Sequence, residues 1–128
     1  MDPRIERWHH YVQARDPDLL DDLLADDCVF ISPVVHTPQE GKAVSKLYLT
    51  GAMQVFNDSF RYIKEIVTPE HIVLEFECEV EGILVNGIDM MTFNDQGKIT
   101  EFKVMVRPLK GMNMLHGHMK AMLEQLAS

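Results

Sequence analysis

Only two of the 128 residues are cysteine, which excludes a disulfide framework, and Cys28 and Cys78 have no metal-ligand spacing around them. Both sit in strand-like apolar stretches and are expected as buried free thiols. Positive charge is also scarce. Twelve lysines and arginines stand against twenty acidic residues, for a net charge of −8, and the cations are scattered without a cluster. That argues against a nucleic-acid partner, which needs a basic patch. No apolar run approaches the roughly 18 residues of a membrane span, so no membrane partner is expected. The opening "MDPRIERWHHY" lacks the basic-then-apolar order of a signal peptide, which gives a cytoplasmic location as the expectation. Phosphate-cradling glycine loops, a nucleophile elbow and Cys–His motifs are missing too. Nucleotide cofactors and covalent catalysis therefore lack support, and no cofactor is expected.

What is present reads as one domain over residues 1–128, long enough to bury a core without cross-links. Residues 4–14 place Ile5, Trp8 and Val12 on one helical face. Asp16-Pro17 caps and opens a second short helix, with Leu19, Leu20, Leu23 and Leu24 as its buried side. "CVFIS" at 28–32 is a short strand that Pro33 ends. "TPQE" at 37–40 has the form of a capping box, and Gly41 resets the direction before a long helix that runs to about Phe56.

From Phe60 onward the period changes to two. "FRYIKEIV" is a strand closed by Thr68-Pro69. In "HIVLEFECEVEG" the apolar Ile72, Leu74, Phe76, Cys78 and Val80 alternate with glutamates, as in an antiparallel strand with one wet face. The next strand spans 83–93, "NDQG" is the turn, and "KITEFKVMVR" follows. A tail helix from about Met112 to Leu126 offers Leu115, Met119, Met122 and Leu126 to a core or a partner. Helices first, then a four-strand antiparallel meander with one short strand between, give an α+β fold. The simplest packing curls the sheet around the helices and leaves a ligand cavity at the open end.

Asp89 stands out, because "NGIDMMTF" otherwise reads as a buried strand and a lone carboxylate there is costly. It shares a face with Val85, Gly87, Met91 and Phe93. It is either a carboxyl in a poorly solvated pocket, with a raised pKa suited to acid or base work, or the partner of an arginine or an outer-face residue. His36 follows the Ser32-Pro33 turn, either as a general base at the rim or as a solvent-exposed loop histidine. Trp8, Tyr11 and Tyr48 lie on helices packed against the sheet and serve either the core or the ligand. Arg107 alternates with Phe102, Val104 and Val106 and so reads as exposed or at an interface. His116 and His118 of "HGHM" point about 200° apart on a helix. With no third ligand spaced for zinc, no metal site is expected.

"ADDCVFISPVVHTPQEG" and "GIDMMTFNDQGKITEF" resemble two stretches of the NTF2-like superfamily, in its SnoaL-like and ketosteroid-isomerase-like branch. The resemblance covers nearly the whole chain. It implies an NTF2-like cone, a curved antiparallel sheet wrapped around N-terminal helices with a ligand pocket, and it implies a homodimer. In ketosteroid isomerases an aspartate just before Pro-Val is the base, while a tyrosine and a protonated aspartate form the oxyanion hole, an arrangement that serves as a standard example of pKa tuning. The oxyanion aspartate falls on Asp89, the base on Ser32 and the tyrosine on Trp8. Serine cannot take a carbon-bound proton near neutral pH without a partner base, and an indole N–H donates but is not a phenol. Steroid isomerisation by that mechanism is not expected.

Two functions remain open at this point. One is a cofactor-independent acid/base enzyme acting on a hydrophobic, carbonyl- or hydroxyl-bearing small molecule. In it Asp89 and His36 are catalytic, while Trp8, Ser32, Tyr48 and Tyr11 bind the substrate. The other is a non-catalytic module that holds an apolar ligand or a protein partner. Nine methionines suit an adaptable apolar surface in either case.

Overall fold

The computed structural model describes residues 2–127. Asp2 starts the first helix, its carboxylate accepting the Arg4 backbone N–H at 2.8 Å, and Pro3 fills a position where no N–H is needed. This helix, α1 (Pro3–Ala14), buries Ile5, Trp8 and Tyr11. Asp16 caps a 3-10 turn, Pro17–Leu19, which runs into the single helical turn α2 (Leu20–Leu23).

The first strand, β1 (Leu24–Ile31), starts earlier than its sequence pattern indicates. Leu24, expected on the helix, is instead a strand residue paired with Ile99 of β6 (Ile99–Arg107). The register shifts between Leu24 and Val29, where Asp26 and Asp27 are exposed. That irregularity hides the strand's first half from a period-two reading.

The capping box at 37–40 does not form. Gln39 and Glu40 are a two-residue strand, β2 (Gln39–Glu40), antiparallel to Phe30 and Val29. Pairing with the free edge of β1 gives these backbone groups partners that a local cap would otherwise supply. The long helix α3 (Lys42–Val55) is capped by Gly41 at φ 108°, with no side-chain cap bond. Gly41 N–H reaches the Cys28 carbonyl at 2.8 Å, and buried Ser45 donates its hydroxyl to the same oxygen at 3.2 Å. These two bonds tie the start of α3 to β1.

The strands β3 (Arg61–Val67), β4 (His71–Val80), β5 (Ile83–Phe93) and β6 form the expected antiparallel meander. The sheet order is β2-β1-β6-β5-β4-β3. Because β1 runs parallel to β6, the sheet is mixed, where the sequence suggested antiparallel pairing alone. Among the described residues it is curved and unclosed, and the fold is an α+β cone.

The inner face repeats along paired positions, with Ile72 against Met91, Leu74 against Asp89, Phe76 against Gly87 and Cys78 against Val85. All eight of these residues are buried. Phe76 crosses so close to β5 that only a glycine fits at 87: a Cβ there would lie 2.6 Å from the Phe76 ring and 2.5 Å from the Met105 carbonyl. The final helix, α4 (Leu109–Ala127), packs mainly on α3, where Gly51 leaves room for Met119 and Leu123.

Candidate functional site

A cavity of about 260 Å³ lies between α1, α3, α4 and the inner face of the sheet. Trp8 comes from α1, Tyr48, Leu49 and Met53 from α3, Phe102, Val104 and Val106 from β6, and Leu115, Met119 and Leu123 from α4. The walls are thus almost wholly aliphatic and aromatic. Phe30 stacks on Tyr48 with ring centroids 5.0 Å apart, and Trp8 packs 5.1 Å from Phe102, which fixes one side of the chamber.

Asp89 is the only carboxyl among the described lining residues, and it is 7% exposed. Its Oδ2 accepts the Tyr62 phenol O–H at 2.7 Å, and the Tyr62 oxygen in turn accepts the Trp8 indole N–H at 2.9 Å. The chain of donors runs one way, Trp8 to Tyr62 to Asp89. No arginine or lysine pairs with Asp89 among the described residues.

Burial therefore dominates, and it pushes the Asp89 carboxyl up from an ordinary 3.8 to about 7, with the Tyr62 hydrogen bond pulling weakly the other way. Burial and the adjacent carboxyl push the Tyr62 phenol well above its usual value, so it stays a donor. No buried polar side-chain atom lacks a partner among the described residues. Since Oδ2 faces Tyr62, Oδ1 is the oxygen left for the cavity.

The inward faces of three elements make this arrangement. β5 presents Asp89 because strict alternation puts it with Val85, Gly87 and Met91. Trp8 faces inward with Ile5 and Tyr11 on α1. Tyr62 was not singled out from the sequence. It pairs with Phe76, but the β3–β4 register slips just beyond it, between Tyr62 and Lys64. Beyond the slip, Glu65 and Val67 pair with the inward residues Leu74 and Ile72, so simple alternation misassigns the second half of β3. His9 flanks the phenol, 5.5 Å from its ring in an edge contact, and bonds Glu65 at 2.9 Å.

The other sequence candidates divide. Ser32, Tyr48 and Trp8 line the cavity with Asp89. The Ser32 oxygen accepts the Val34 and Val35 backbone N–H groups at 3.1 and 3.3 Å, which shapes the rim loop and leaves its hydroxyl proton to donate. Tyr11 is not a cavity residue. It lies in the core, 5.2 Å from Trp8, with its hydroxyl directed at the Leu49 carbonyl. His36 does not line the cavity either. The Ser32 turn carries the chain outward, and His36 is exposed in the loop before β2, so it does not face Asp89 across the pocket. Arg107 is exposed, as its alternation indicates. The two tail histidines diverge, His118 bonding Glu81 at 3.0 Å and His116 lining the cavity. Among the described residues no three His, Cys, Asp or Glu side chains converge to hold a metal ion.

The profile of the SnoaL-like domain matches residues 5–102. The chain belongs to the SnoaL-like family. Its structure is similar to that of a steroid delta-isomerase from Pseudomonas aeruginosa, with 36% identity, a TM-score of 0.90, and 98% of this chain and 93% of that one covered. A protein with a cystatin-like fold from Silicibacter pomeroyi matches at 33% identity and a TM-score of 0.88, over 94% of this chain and 85% of that one. The epoxide hydrolase/cyclase-like enzyme SalBIII shares the fold at 18% identity and a TM-score of 0.65, over 81% and 90% of the two chains. No curated protein matches the chain in sequence. Structural neighbours of the chain thus include an isomerase and a cyclase-like enzyme, and a shared cone does not fix one chemistry.

Proposed function

We propose that the cavity binds a hydrophobic small molecule carrying a carbonyl or hydroxyl oxygen, and that Asp89 performs acid/base chemistry on that oxygen without a cofactor. The observation that carries this reading is the carboxyl at the inner end of an apolar chamber, held by Tyr62 and protonating near pH 7. In its neutral form Asp89 donates from Oδ1 to a carbonyl and stabilises the negative charge that develops there. As an anion it accepts a proton from a hydroxyl. A pKa near the operating pH keeps both forms available. Trp8 and Tyr62 position the carboxyl, and Tyr48 and Ser32 shape or bond the ligand. The 36% likeness to a steroid delta-isomerase supports a ketone at the polar end. The resemblance to ketosteroid isomerases puts Ser32 where that chemistry would need its base, which makes transfer of a proton between two carbons the weakest variant of the proposal.

The test uses 2-tetralone and 2-tetralol, a ketone and an alcohol of the same size, in calorimetric titrations from pH 5 to 9. Ketone affinity should fall about 3–10-fold as pH rises through 7, the worth of one hydrogen bond, while the alcohol's should not fall. In the Asp89→Asn variant the ketone profile should be flat. A flat wild-type profile that matches the variant would overturn the acid/base role.

A non-catalytic binding module is the second reading, favoured by one observation. Among the described lining residues no second carboxyl faces Asp89. Turnover separates the two, because a substrate converted by the wild type and equally by Asp89→Asn would remove the catalytic role. Self-association through the outer face of the sheet and a cytoplasmic location belong to the same proposal, the latter supported by two cysteines kept as buried free thiols.

A further inference from the structure

We propose that the ligand is an amphipathic acid, whose apolar body fills the cavity and whose carboxylate sits at the opening against His116 and Lys120 of α4. This rests on the cavity reading above and names the other end of the ligand. The two residues are one helical turn apart and therefore share a face. Both line the cavity and both are solvent-exposed, which places them at its mouth, whereas Asp89 is buried at the inner end. The chamber thus has two chemically different ends joined by an apolar wall that includes Leu115 and Met119.

Charge pairing elsewhere sharpens the point. Lys42, Lys46 and Lys64 each lie against an acidic side chain, and His118 and His9 each bond a glutamate. Among the described residues the side chains of Lys120 and His116 have no ion pair or hydrogen bond; Lys103, Lys110 and Arg107 share that state, but they do not line the cavity. In a chain of net charge −8, an anionic ligand is repelled from most of the surface. A cation with its own histidine neighbour at the mouth of this apolar cavity is where such a ligand is favoured. The N–H donors of the pair are free to take a carboxylate in charge-assisted hydrogen bonds.

The probes are 9-oxodecanoic acid and its methyl ester, alike in the chain and ketone and differing in the charge at the far end. Their affinities are measured by calorimetry at pH 6 in low salt. The acid should bind about 5-fold tighter than the ester, an advantage of the size exposed pairs give, and lose that advantage as salt rises. In Lys120→Glu the acid-to-ester ratio should fall below one, and Lys120→Met should bring it close to one. Asp89→Asn should weaken acid and ester by the same factor, since both present the same ketone. Equal affinities for acid and ester in the wild type, or a ratio that Lys120→Glu leaves unchanged, would overturn the carboxylate site while leaving the cavity reading intact. Failure of both probes to bind would overturn the two together.

Discussion

A carboxyl that holds its proton up to about pH 7 ties the stability of this fold to pH in the direction opposite to a salt-bridged acid. In the unfolded chain Asp89 gives up its proton near 3.8, but in the folded chain it keeps it until about 7. Between those values the native state binds the extra proton, so the stability that Asp89 contributes is fully present below about 4 and is lost as pH rises through 7. At 1.36 kcal/mol per pKa unit the full loss is on the order of 4 kcal/mol. Asp2 works the other way. Its hydrogen bonds to Arg4 hold it down at about 2, and its contribution is lost only in stronger acid. Over pH 5 to 8 the difference between the wild type and an Asp89 variant therefore reports on Asp89. Thermal unfolding across that interval should show a wild-type Tm that falls toward pH 8. The Asp89→Asn variant, whose amide oxygen still accepts from Tyr62, should be nearly flat and more stable at pH 8. Parallel curves for the two proteins would rule this out. Tyr62→Phe removes the one bond that lowers the Asp89 pKa and should move the wild-type decline to higher pH.

At the scale of the element, most of the frame was legible and the irregular joints were not. The strand expected over 83–93 is observed as Ile83–Phe93, because its alternation is unbroken and a turn closes each end. The same alternation groups Asp89 with Val85, Gly87 and Met91, while which of the two faces turns inward was left open by the pattern. Tyr62 could not be grouped in this way, since the register slip beside it depends on how β3 meets β4, and one strand's pattern does not contain that information. The capping box failed similarly, because β1, close in sequence but outside the motif itself, claimed its backbone. Glycines give a direct test of where tertiary contact overrides local preference. Gly87→Ala would improve strand propensity, yet the new Cβ meets the Met105 carbonyl at 2.5 Å and the Phe76 ring at 2.6 Å. It should destabilise by about 1–3 kcal/mol, the usual cost of overpacking. Gly117→Ala, with nothing within 4 Å of its Cβ on α4, should gain up to about 1 kcal/mol from helix propensity. Denaturant midpoints that move the same way in both variants would contradict the close crossing at Gly87.

Over the whole molecule, the charge distribution directs attention to the outer face of the sheet. Ile66, Leu84 and Met105 are 58, 54 and 51% exposed there, around partly buried Val73, Ile88 and Met90. The charges among them are largely matched in place, Arg61 with Glu77 and Lys64 with Glu75. Much of the surplus negative charge lies elsewhere, on Asp18, Asp22 and Asp27 near the start of β1, where Asp21 and Asp26 are matched by Lys46 and Lys42. Two copies with a net charge of −8 repel each other least where the local charge cancels and apolar side chains are already exposed. Sheet against sheet is therefore the contact expected for the proposed self-association, and it would leave the mouth of the cavity, on the helical side, open to ligand. Sedimentation equilibrium at micromolar concentration should give about twice the 14.7 kDa of one chain, and the Tm should rise with protein concentration. Met105→Lys would place a buried charge at the centre of that contact and shift the equilibrium to monomer. A wild-type protein that sediments only as monomer would remove this interface, and with it the reason for so much exposed apolar surface on one face of the sheet.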